Sequence, residues 1–108
     1  EGLAAPANEL AAALQKLGAA TQAAWATGVP EEALANATPY LQAFGHTVLA
    51  WLWLAVALAT AAREDDQAQG QRAAMRYFFS YELPKTGAWL AVVSSRDPTC
   101  RNMHEEWF

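Results

Sequence analysis

The chain is poor in the parts from which most active sites are made. It has one cysteine, Cys100, so no internal disulfide can form and a cytoplasmic home is expected. Its 7 basic residues stand against 11 acidic ones, for a net charge of −4. They form no basic stripe, so no nucleic-acid partner is expected. The sequence contains no G-x-G-x-x-G, no P-loop, no G-x-S-x-G and no H-E-x-x-H, the spacings that cradle phosphates, expose a serine nucleophile or hold zinc. His46 and His104 lie far apart, and only Glu105 stands beside either at a ligand spacing, so no metal site is expected. No basic n-region with a cleavage site marks a signal peptide. The start at Glu1-Gly2-Leu3, without an initiator methionine, reads as a piece cut from something longer.

Charge is also missing from one long run. From Ala33 to Ala62 there is no charged side chain, and the inner part reads Val48-Leu49-Ala50-Trp51-Leu52-Trp53-Leu54-Ala55-Val56-Ala57-Leu58-Ala59. A helix built from it is apolar all round, which suits the centre of a bundle or a membrane span. The strongly apolar part, Val48 to Ala62, is shorter than the roughly 20 residues of a span. Reaching back to Leu41 takes in Gln42, Gly45, His46 and Thr47. Trp51 and Trp53 sit mid-segment, whereas membrane tryptophans prefer the interfaces. The segment therefore reads as a rod wrapped by its own sibling helices, and membrane attachment stands as the alternative.

What the chain does have is helix formers. It is 54% hydrophobic, about a quarter is alanine, and β-branched residues are few. Its 108 residues suit one domain, 1–108, with a core that needs no disulfide or metal. Five tryptophans point to large buried surfaces, inside the domain or against a partner. The first helix is predicted from about Ala7 to Ala26, with Leu10, Leu14, Leu17, Thr21 and Trp25 on one face. Gly28-Val29-Pro30 ends it. The second helix runs from Pro30 to about Arg63, and Pro39 should kink it near Ala35–Thr38 or split it with Asn36 or Thr38 as a new cap. Asp65 and Asp66 can cap the third helix, which starts near Gln67. There Ala74, Tyr77, Phe78 and Tyr81 share one face, and Pro84 breaks or bends the helix at about Leu83. Helix resumes through Trp89, Leu90, Val92 and Val93. The tail from Pro98 suits a short helix with Cys100, Met103 and Trp107 on one side. The expected fold is all-α: an up-and-down helical bundle of three long helices, two of them proline-bent, plus a short C-terminal helix.

Few side chains invite a functional reading. His46 lies in the uncharged run and suits either an acid–base or ligand contact or a core histidine bonded to a carbonyl or a tyrosine. Arg72 and Arg76, one turn apart, suit an acidic ligand or a solvated face. The candidate interface or pocket is His46, Arg76, Tyr77, Phe78, Tyr81 and Glu82, with Glu82 placed to pair with Lys85 or Arg76. Cys100 reads as a small apolar filler. No catalytic, cofactor-binding or metal residue is assigned.

Three stretches carry a family resemblance. They are Leu34-Ala35-Asn36-Ala37-Thr38-Pro39-Tyr40-Leu41-Gln42-Ala43-Phe44-Gly45-His46, then Val48 to Leu54, and Arg76-Tyr77-Phe78-Phe79-Ser80-Tyr81-Glu82-Leu83-Pro84-Lys85-Thr86-Gly87, supported by Leu17 to Thr21 and the closing Trp107-Phe108. From about Glu9 to Phe108 the chain resembles the C-terminal extension of large bacterial acyl-CoA dehydrogenases, the 3-methylmercaptopropionyl-CoA dehydrogenase-like group. The resemblance implies a parent oxidoreductase of fatty acid metabolism. Its FAD would take a hydride from the β-carbon of an acyl-CoA while a glutamate base takes the α-proton, giving a 2-enoyl-CoA. Those parts belong to an upstream core. The resemblance therefore implies a non-catalytic bundle packed on the dehydrogenase core of the same polypeptide, in a homo-oligomer formed through the parent, and no flavin residue is carried over. A small-ligand-binding module using Tyr77, Tyr81, Arg76 and His46 is the remaining alternative.

Overall fold

The computed structural model describes residues 2–108 and is all-α, with no strand among them. Helix α1 spans Ala4–Ala24, a single turn α2 spans Pro30–Ala33, and α3 spans Ala37–Ala59. Helix α4 spans Asp66–Tyr77, a π-turn covers Phe78–Glu82, and α5 spans Lys85–Ser95. A last 3₁₀ turn covers Glu105–Trp107. The three long helical courses are α1, α3 and the bent α4–π–α5 unit.

Both proline predictions resolve into specific geometry. The second helix is split at Asn36, which is the first non-helical residue before α3. Pro39 then falls in the first turn of α3, where the N–H it lacks would have had no partner. The Asn36 side chain does not cap; its Nδ2 donates to the Asp97 carbonyl at 3.1 Å and ties the start of α3 to the end of α5. At Pro84 the backbone stays right-handed, with Leu83 at φ −58° and Pro84 at φ −60°. The turn ahead of it is widened, so that the Leu83 N–H reaches back five residues to the Phe78 carbonyl at 2.9 Å. This gives the proline ring room, and the helix bends instead of ending.

The helix ends are tied by side chains. Asp65 accepts from the Ala68 N–H at 3.3 Å and from Arg63 Nε and Nη2, at 2.9 and 2.7 Å. The Arg63 guanidinium holds the Asp65 carboxyl down at about 2. Arg72 donates to the Thr60 carbonyl at the end of α3, and Arg96 Nη1 donates to the Ala23 carbonyl of α1 at 2.7 Å. Each arginine thus adds a charged donor at the C-terminal end of a neighbouring helix, where the backbone dipole is negative.

Packing follows from small residues. One buried patch joins Leu10 and Ala13 of α1, Ala50, Leu54 and Ala57 of α3, Met75 of α4, and Phe78, Phe79 and Leu83 of the bend. A second joins Leu17, Ala20 and Ala24 to Ala43, Leu90 and Val93, with Tyr40 and Trp89 at its edge. The pairings make α1 antiparallel to α3 and α3 antiparallel to the α4–α5 unit. Buried threonines are satisfied by carbonyls three or four residues back: Thr47 donates to the Ala43 carbonyl and Thr86 to the Leu83 carbonyl, both at 2.8 Å.

Three expectations are corrected here. The first concerns the wrapped rod: α3 is covered on one side only. It buries Ala43, Thr47, Ala50, Leu54 and Ala57, while Leu41, Phe44, Leu49, Trp51, Leu52 and Leu58 are exposed. In a set of three mutually touching helices each is peripheral, so none can be enclosed. The shape agrees: the chain is a slab of 58 × 29 × 16 Å with a radius of gyration of 17.4 Å, against about 13 Å for a compact domain of ~100 residues. The second concerns the tail, which makes only the one 3₁₀ turn and leaves Cys100 exposed, not filling a core. The third concerns α1, whose buried stripe is Leu10, Ala13, Leu17, Ala20 and Ala24; Leu14 and Trp25 face outward.

Candidate functional site

The residues singled out in the sequence divide into two groups. His46, Phe78 and Glu82 come together. His46 projects from α3 toward the π-turn, where its Nε2 lies 3.1 Å from Glu82 Oε1. An ionised carboxylate only accepts, so Nε2 carries the hydrogen. The imidazole sits 5.5 Å from the Phe78 ring and edge-on to Trp89 at 4.8 Å. Lys85, at the start of α5, places Nζ 3.1 Å from both Glu82 oxygens. The widened turn is what aims Glu82 at α3, since its extra residue rotates the chain before Pro84.

The other three residues stand apart. Arg76, Tyr77 and Tyr81 lie on the outer side of α4 and the π-turn. The two tyrosine rings stack at 4.5 Å, and both are exposed. Arg76 does not reach Glu82, whose partners are His46 and Lys85. The aromatic face expected of Ala74, Tyr77, Phe78 and Tyr81 is therefore divided, with Phe78 turned into the core. Trp89 and Lys85 complete the cluster, and only Lys85 had been named beside Glu82 in advance.

Chemically the cluster is a clasp. Its carboxylate is held below its ordinary range, first by the His46 hydrogen bond and then by Lys85. A depressed carboxylate adds stability above its unfolded value near 4.5, and that stability is lost as pH falls through the lowered folded value. Glu82→Gln should accordingly lower the melting temperature at neutral pH, with the gap to wild type closing on acidification below that range. Thermal melts followed by circular dichroism across the pH series would read this. A gap independent of pH would remove the ion pair from the account.

Two of the clefts that flank α1 bear on the site. One, of ≈ 300 Å³, is lined by Glu9, Lys16, Phe79, Leu83, Pro84 and Gly87 among others. The other, of ≈ 260 Å³, is an apolar groove between α1 and α3 lined by Leu10, Leu14, Leu17, Phe44, Val48 and Trp51, with Thr47 at its floor. With the fold and these surfaces in place, comparison with protein families gives a match over residues 1–104 to the family described as Acetyl-CoA dehydrogenase C-terminal like. The chain belongs to that family. This C-terminal-like domain is thus a helical module of the acyl-CoA dehydrogenases, and the Tyr81-Glu82-Leu83-Pro84-Lys85 run that carried the resemblance builds its bend and its clasp. Neither the curated proteins nor the solved structures return a match to it.

Proposed function

We propose that this domain is a non-catalytic assembly module of a 3-methylmercaptopropionyl-CoA dehydrogenase-like flavoenzyme, seated through the outward side of α3 on the dehydrogenase core of its own polypeptide. The observation that carries the reading is the exposed arc of α3. A 23-residue helix without one charged side chain leaves Leu49, Leu52 and Val56 uncovered or half-covered along one flank, and that row is the one assigned to the core. Contiguous apolar surface of this extent marks an interaction site.

FAD enters as the parent's cofactor. Drug-sized ligands fill roughly 300–1,000 Å³. The cleft beside Pro84 is at the foot of that range with one lysine on its wall, so a dinucleotide bearing two phosphates does not fit it. The parent would oxidise an acyl-CoA to its 2-enoyl-CoA in the cytoplasm, and the domain would stabilise the core that does so.

In the parent enzyme, Leu49→Glu together with Leu52→Glu should loosen the domain from the core. We expect faster limited proteolysis at the junction and a lower melting temperature. The isolated chain should be helical, colourless and inactive on acyl-CoA. Flavin retained by the isolated chain, or a doubly substituted parent as protease-resistant as wild type, would overturn the reading. One observation favours a second reading: α3 is long and apolar enough to cross a membrane, with a mean hydropathy of 1.5, and is mostly unburied. Flotation of the chain with liposomes, unchanged by salt, would move the assignment to membrane attachment.

A further inference from the structure

The uncovered arc of α3 is wider than one neighbour can fill. Leu41, Phe44, Val48, Trp51, Ala55 and Leu58 recur at alternating steps of three and four, the spacing of a coiled-coil seam. Gly45, Leu49, Leu52 and Val56 make a separate row round the helix from that seam. A helix packs through a stripe of about 100°, so the two rows call for two occupants. Only the first borders a groove, because Leu10, Leu14 and Leu17 of α1 form its opposite wall.

We propose that this α1–α3 face is a self-association surface, which takes the same face of a second copy in a two-fold, four-helix arrangement. Three observations select a second copy. The first is charge. Each copy carries −4, so a self-contact must form where no charge lies. Helix α3 has none, and the two charged residues of α1, Glu9 and Lys16, line the other cleft, beside Pro84. The second is area. Leu14, Leu41, Phe44, Val48, Trp51 and Leu58 leave on the order of 700 Å² exposed, close to the ~800 Å² per partner of a standard interface. The third is self-complementarity. A two-fold contact places each patch on itself, and here one helix of the patch offers a protruding tryptophan, 58% exposed, while the pair of helices offers the groove to receive it. Trp51 is then the buried aromatic anchor of the contact.

This surface is separate from the row assigned to the core, so the two readings fail separately. Sedimentation velocity of the 108-residue chain over a concentration series is the test. Wild type should sediment at twice the 11.7 kDa chain mass. Trp51→Glu should give monomer at concentrations where wild type is dimeric, a rise in dissociation constant of at least a hundredfold. Leu52→Glu, on the other row, should leave the dimer intact. Both residues are already exposed, and unchanged far-UV circular dichroism would show that each variant folds. A wild type that stays monomeric overturns the proposal, as does Leu52→Glu dissociating the dimer as strongly as Trp51→Glu. Wild type that is monomeric but floats with phosphatidylcholine vesicles, and no longer floats as Trp51→Glu, would assign the face to lipid and overturn it too.

Discussion

Phe79→Ala should lower the unfolding free energy by about 3–5 kcal/mol, the usual range for truncating a buried phenylalanine. Phe79 lies in the π-turn, 5% exposed, packed with Leu10, Ala13, Met75 and Leu83. Phe79 also walls the cleft beside Pro84, so the truncation deepens that cleft and adds lost packing contacts to the lost burial. A slab this thin has little other core. Small domains hold about 5–15 kcal/mol in total, so the variant should be partly unfolded at ordinary temperature. Tyr81→Ala, two residues on, is the control. Its ring is exposed and touches Tyr77, so the loss should stay near 1 kcal/mol. Urea unfolding of both variants, read at one pH with wild type, gives the comparison. Equal losses would mean that the bend does not turn Phe79 inward.

That contrast also marks where the sequence stopped being legible. Helix content, the turn at Gly28, the cap at Asp65 and the two proline sites could all be read from residue chemistry, because each depends on a few neighbouring residues. Gly28 indeed adopts φ +72°, a conformation that suits glycine. The aromatic run could not be assigned to faces. A 3.6-residue period puts Tyr77, Phe78 and Tyr81 together, but the widened turn adds a residue to the count and turns Phe78 and Phe79 inward. The π-turn follows from a proline meeting a helix that has packing on both sides of it, which no local pattern records.

The coverage of α3 failed for a different reason. A helix apolar all round must be covered all round, and the sequence reading assumed that this chain supplies the cover. The geometry leaves one side of α3 open. What was legible was the need for cover, in the missing charges from Ala33 to Ala62; its source was not. The clasp lies between these cases. Glu82 with Lys85 is a local pair and could be anticipated, but His46 is 36 residues away in sequence and joins them only when α3 lies antiparallel to the bent unit.

The closeness of that approach can be tested at Ala50. Ala43, Ala50 and Ala57 stand seven residues apart on the inner line of α3, and each has no exposed surface. Methyl groups at these points let the neighbouring backbones come in until Thr47 and Leu54 fill the layers between. Ala50→Leu adds three carbons where Leu10, Ala13, Met75, Phe78 and Phe79 already meet. Both residues favour helix almost equally, so propensity does not mask the result. Overpacking of this kind costs about 1–3 kcal/mol, visible as a lower urea midpoint. Relaxation is restricted because α3 is held just before its start by Asn36 and just past its end, at the Thr60 carbonyl, by Arg72. Ala91→Leu on the exposed side of α5 should change stability by no more than about 0.5 kcal/mol. If Ala50→Leu proved as stable as wild type, α3 would not be seated on its alanines. The exposed arc would then have to be placed afresh around the helix, and with it the rows assigned to the core and to the second copy.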